Sequence, residues 1–167
     1  MSFDYVNAFH LGGHWAEKVA ERLNSSGVRC HAPKIQIAKT YSEREHMTKH
    51  EKDIVFDWTD STIEVKSSTR NFTDIVEAYP YDSLFVDTVS GYDSKASIPL
   101  AYAIISQNTQ NIVCIAPNSY STWEKVEAYD KHRKIHENFY SAPKECLIPF
   151  SMLIEYLKKL ESGRLIK

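Results

Sequence analysis

The chain of 167 residues is short of cysteine, glycine and net charge, and each shortage narrows what it can be. Its three cysteines, Cys30, Cys114 and Cys146, are odd in number, far apart and never arranged as CxxC. That speaks against a disulfide framework and a structural zinc knuckle, and leaves reduced, buried thiols. No stretch approaches the ~18 consecutive apolar residues of a membrane-spanning helix, and Met1 to Leu11 lacks the basic start and apolar centre of a secretory signal. A soluble, intracellular, cytoplasmic protein is the expectation. The five glycines form neither GxxxxGK[ST] nor GxGxxG, and no GxSxG elbow occurs, so nucleotide cradles and a serine-hydrolase turn have no support. A net charge of −2 gives no global field to draw in a polyanion, so any such contact must be local.

What is present is a core. Hydrophobic residues make up 43% of the chain and charged ones 25%, enough for one ordinary domain spanning 1–167. Trp15, Ala16, Val19, Ala20 and Leu23 recur at three and four, predicting an amphipathic helix over Gly13–Ser26 that stops at Gly27. Ile35 and Ile37 suggest a strand after Pro33, and Tyr41–Lys49 a loop or short helical turn. Further strands are read at Ser83–Val89, Leu100–Ser106 and Asn111–Ala116, the last two joined by the turn Gln107–Gln110. Ser121-Thr122-Trp123-Glu124 reads as a capping box opening a helix to about Glu137. Phe150, Leu153, Ile154, Leu157 and Leu160 predict a closing helix before Gly163. Arg70–Pro80 and Gly91–Ala96 are read as mobile loops.

The basic stretches from Arg29 to Lys52, with Lys34, Lys39, Arg44 and Lys49 between, and Lys131–His136 read as solvated faces. The i, i+4 histidine pairs His10/His14, His46/His50 and His132/His136 lack an HExxH frame and are taken as surface or core residues.

The chemistry concentrates in His50–Ser68, two short strands joined by a turn. Alternation places Asp53 and Val55 on one face against Ile54 and Phe56, and Glu64 and Lys66 on one face against Ile63 and Val65. Directly opposed residues share a face, so Asp53 faces Glu64 or Lys66 when the connection is even-numbered or carries a bulge, and a two-residue Trp58-Thr59 turn sets it opposite Glu64. Two like charges ~4 Å apart repel by about 4 kcal/mol at an effective dielectric of about 20, so the pair needs a cation or a shared proton. A divalent metal is the economical answer. The bland alternative is a solvated hairpin face of mutually paired Asp, Glu and Lys.

Asp53, ten residues, then Glu64-Val65-Lys66, on consecutive apolar strands after a helix, resembles the D…(D/E)xK signature of the PD-(D/E)XK nuclease superfamily. The resemblance covers about Gly13–Val89, and no proline precedes the aspartate. It implies an α/β, restriction-endonuclease-like fold with a mixed β-sheet flanked by helices. It further implies Mg²⁺ or Mn²⁺ held by Asp53, Glu64 and the carbonyl of Val65, with Lys66 beside the attacking water. Glu17 on the first helix is a weaker candidate ligand, and Ser68 and Thr69 are candidate phosphate contacts. The implied activity is metal-dependent endonuclease cleavage of duplex or branched DNA, as a homodimer. The alternatives are an inactive nucleic-acid- or protein-binding module of the same fold, and a hydrolase acting on RNA.

Overall fold

The computed structural model describes residues 5–33, 53–131 and 133–163, the first eight as backbone alone. Its elements follow in the order α1 (Tyr5–Ser25), β1 (Ile54–Val55), β2 (Thr62–Ser68), β3 (Ser83–Thr88), α2 (Val89–Asp93), β4 (Ala101–Ser106), β5 (Ile112–Ile115), β6 (Glu124–Asp130), β7 (Ile135–Pro143), β8 (Leu147–Pro149) and α3 (Phe150–Glu161). The strands form a five-stranded sheet, β1-β2-β4-β5-β8, and a three-stranded sheet, β3-β7-β6. The larger sheet is mixed: β2 and β4 run parallel, and its other neighbouring pairs are antiparallel.

Period-two alternation explains the layering. β4 is buried throughout, so both of its faces are covered and it reads as one apolar run. Ala101, Ala103 and Ile105 meet Trp15, Val19 and Leu23 of α1 and Leu153 and Leu157 of α3. Tyr102 and Ile104 point the other way, into a second core with Leu84, Val86, Tyr140 and Ala142 of the smaller sheet. Helices therefore cover one face of the five-stranded sheet and three antiparallel strands cover the other. Glu64 and Lys66 are in register with Tyr102 and Ile104, which places them on the face toward the smaller sheet.

α1 buries the stripe that its sequence spacing marks, but starts at Tyr5 rather than Gly13. Gly27, at φ +92°, ends the turn beyond it in a conformation that disfavours any side chain. The strands around Gln107–Gln110, the strand at Ser83 and the closing helix fall where the pattern puts them. The helix expected over Ser121–Glu137 does not form. Pro117–Thr122 is a 3-10 helix whose Thr122 hydroxyl donates back to the Ser119 carbonyl instead of capping forward. Val126 and Ala128 then alternate with exposed Glu127 and Tyr129, a strand period, and β6 pairs with β7. Their turn is closed by Asp130, which accepts from the Arg133 amide and pairs with its guanidinium.

The segments read as mobile loops are tied down. Ser106 donates its hydroxyl to the Arg70 carbonyl, Thr109 and Asn111 donate to that of Phe72, and the Phe72 ring is buried. Gly91–Ala96 belongs in part to α2. The strand read at Ile35 and Ile37, the segment Tyr41–Lys49, the Lys34–Lys52 part of the basic stretch and the histidines at 46, 50 and 132 lie outside the described residues. An isolated bridge joins His31 to Val55, ahead of Pro33. No helix among the described residues is long and apolar enough to cross a membrane.

The load on α3 is testable by urea denaturation. Leu157 is fully buried, and Leu157→Ala should cost about 2–5 kcal/mol of stability. Met152 on the same helix is 55% exposed, and Met152→Ala should stay within about 0.5 kcal/mol.

Candidate functional site: a carboxylate and lysine ring

β1 and β2 pair as Ile54 with Ile63 and Val55 with Thr62, across an unpaired connection running from Phe56 to Ser61. That connection has an even number of residues, so continuing the register brings Asp53 opposite Glu64. Asp53 Oδ2 accepts a 2.8 Å hydrogen bond from the Val65 amide. The N–H and C=O of one strand residue point to the same edge, so the Val65 carbonyl also faces the edge of β2 on which Asp53 stands.

On the buried face Glu64 is one corner of a closed ring of alternating charge. Lys66 Nζ lies 2.7 Å from Glu64 Oε1 and 3.3 Å from Asp87 Oδ1. Lys95 Nζ lies 2.6 Å from Glu64 Oε2 and 3.5 Å from Asp87 Oδ2. Asp87 is also held independently of the lysines, by the Tyr102 hydroxyl at 3.0 Å and the Thr88 amide at 2.9 Å. Burial beside Asp87 pushes the Tyr102 hydroxyl far up, so it stays a donor.

Asp87 reaches the ring through a break in strand parity. Phe85 pairs with Ser141 but Asp87 pairs with Tyr140, so β3 spends one extra residue there as a β-bulge. Val86 and Asp87 are consequently both buried, whereas unbroken alternation would turn Asp87 outward with Phe85. Thr88 then caps α2 by accepting from the Gly91 amide. A Cβ on Gly91 would sit 2.6 Å from the Thr88 hydroxyl oxygen and 3.1 Å from Asp87, so only glycine lets this turn close onto the acid. Lys95 leaves the end of that turn and points back at Glu64. Asp87, Lys95 and Tyr102 were not among the sequence-derived site residues.

The charges do not balance. Among the described residues three carboxylates, Asp53, Glu64 and Asp87, face two ammoniums, one negative charge more than positive. Burial raises Glu64, but Lys66 and Lys95 outweigh it and hold its carboxyl below the usual range. Burial lowers Lys66, yet Glu64 and Asp87 outweigh that and keep it protonated beyond the usual lysine range. Asp53 has no ion pair among the described residues. Burial pushes it up to about 6, against the Val65 hydrogen bond that favours its charged form. Of the three carboxylates, Asp53 is the one without an ion pair among the described residues.

This donor set suits a divalent cation of the Mg²⁺ type. Such ions use one or two carboxylates, keep water and substrate oxygens as further ligands, and need no all-protein cage. Among the described residues no three His, Cys, Asp or Glu groups form such a cage. Asp53, Glu64 and the Val65 carbonyl supply hard oxygens. Glu17 is exposed on α1 and makes no ion pair or hydrogen bond with the ring among the described residues. Ser68 lies two residues beyond Lys66, about 7 Å along the strand. Its hydroxyl accepts from the Arg70 amide, and Thr69 beside it is exposed.

No protein-family model, curated protein or solved structure matches the chain.

The raised Asp53 carboxyl has a stability consequence with a definite sign. The folded state keeps its proton up to about pH 6, whereas an unfolded aspartate releases it near pH ~3.9. Stability is thus lost as pH rises from about 4 through about 6, by on the order of 2–3 kcal/mol. Asp53→Asn escapes this loss. In metal-free buffer it should unfold about 1–3 kcal/mol harder than wild type at pH 7.5, with the gain vanishing near pH 4. A variant less stable than wild type at pH 7.5 would show that the Asp53 charge is already compensated.

Proposed function

We propose that the chain is a metal-dependent phosphodiesterase acting on DNA, with Asp53, Glu64 and Lys66 as its catalytic residues. The observation that carries this reading is the hydrogen bond from the Val65 amide to Asp53, in a register that continues to Glu64, with no ion pair to Asp53 among the described residues. Its support is the sequence resemblance to PD-(D/E)XK nucleases, joined to a helix followed by strands that hold the acids side by side.

In this reading Asp53 and Glu64, with the Val65 carbonyl, hold Mg²⁺ or Mn²⁺. When bound, the ion strengthens a water nucleophile and offsets charge on the scissile phosphate. Lys66 stays an ammonium, so it donates hydrogen bonds to the attacking water and to the phosphate oxygens and does not act as a base. Its side chain is 37% exposed, and Glu64 and Asp87 fix its direction. Cutting both strands of a duplex calls for two such sites, hence a homodimer.

A second reading has its own observation. Both oxygens of Glu64 already carry an ammonium, an arrangement that also suits a module that binds nucleic acid or protein without cleaving it.

Incubation of supercoiled plasmid with the purified protein separates the two. With Mg²⁺ or Mn²⁺ the wild type should nick it, and Glu64→Ala and Lys66→Ala should lower the rate by at least about a hundredfold while keeping the circular-dichroism spectrum. Nicking that persists undiminished in Glu64→Ala overturns the proposed site. Binding of DNA without nicking under all conditions favours the non-cleaving module, and cleavage of RNA alone reassigns the substrate.

A further inference from the structure

We propose that Lys95 is the resident counter-ion of Glu64, holding the place of a divalent cation and withdrawing onto Asp87 when one binds. The inference rests on the metal-site reading above and deepens it. Lys95 makes the shortest contact of the ring, 2.6 Å to Glu64 Oε2, on the oxygen that Lys66 leaves free. A divalent ion on Glu64 and an ammonium at that distance repel one another twice as strongly as two unit charges would. One of them has to yield.

Three features make Lys95 the group that yields. Lys66 projects from the middle of β2 beside β4, whereas Lys95, the more buried of the two at 15% against 37% exposed, stands beyond α2 and outside the sheet, so its stem can turn without disturbing a strand. The backbone beneath Lys95 is anchored, with Gly91 packed on Thr88 and Asp87 and the Lys95 amide bonded to the Tyr92 carbonyl. Motion is thereby confined to a flexible four-carbon stem. A second berth is ready: Asp87 Oδ2 is already 3.5 Å away, and Tyr102 and Thr88 keep it in place whichever lysine it holds. In the empty state Lys95 neutralises Glu64. In the loaded state it pairs with Asp87 and stands at the border of the ion's site, where a substrate phosphate arrives.

Calorimetric titration with MnCl₂ of the wild type and of Lys95→Met tests this. Lys95→Met should bind Mn²⁺ at least about tenfold more tightly, because its competitor is gone. Crystals of the wild type soaked in Mn²⁺ should show Lys95 Nζ out of hydrogen-bond reach of Glu64 and still paired with Asp87. If the wild type binds Mn²⁺ and Lys95→Met binds no tighter, or if Lys95 keeps its Glu64 contact beside a bound ion, the exchange is wrong and the metal site stands. If neither protein binds Mn²⁺, the metal site fails and the exchange with it. Should Lys95→Met not fold, the position of Lys95 in the soaked wild-type crystal decides.

Discussion

Three carboxylates gathered around two ammoniums on one half-buried face set the terms for this fold. Each ion is partly removed from water, so each must find an opposite charge or change its protonation. Glu64 and Asp87 do so by sharing Lys66 and Lys95 in a ring. Among the described residues Asp53 has an amide hydrogen bond and no ion pair, and burial raises its carboxyl. Among the described residues, a proton or an external cation would complete the balance of these five side chains.

The fold is arranged to bring these groups together from distant parts of the chain. The parallel pairing of β2 with β4 sets Glu64 beside Tyr102, and Tyr102 in turn reaches Asp87 on the opposing sheet. The bulge in β3 turns Asp87 inward, and the glycine turn of α2 sends Lys95 after it. Among the described residues the helical layer contributes no side chain to the ring. It buries the far face of the sheet, and so fixes which side chains of β2 are left to face the ring.

Local periodicity made much of this legible. The α1 and α3 stripes and the strands around Gln107–Gln110 follow from side-chain spacing, because burial of one face enforces them. Parity alone leaves Asp53 opposite Glu64 or Lys66, and the two-residue turn expected at Trp58-Thr59 is an unpaired stretch from Phe56 to Ser61. Asp87 was not legible. It stands in a readable strand, but a bulge depends on how the partner strand β7 pairs, and alternation alone assigns it to the outer face. Lys95 was hidden for a similar reason, since a small-residue segment with no apolar pattern reads as a loop until the acid it packs against is known. The false helix over Ser121–Glu137 shows the opposite error. A capping-box string was matched at Ser121–Glu124, while the two-residue alternation beyond it and the sheet partner of β6 decided the outcome.

The most direct test of the uncompensated charge is a carbon-detected NMR titration that follows the Asp53 side-chain carboxyl with and without saturating Mg²⁺. A midpoint of about 6 in the metal-free protein, falling into or below the ordinary aspartate range once Mg²⁺ is added, is the expected result. An ordinary midpoint that Mg²⁺ leaves unchanged would contradict it, for Asp53 would then need neither proton nor cation.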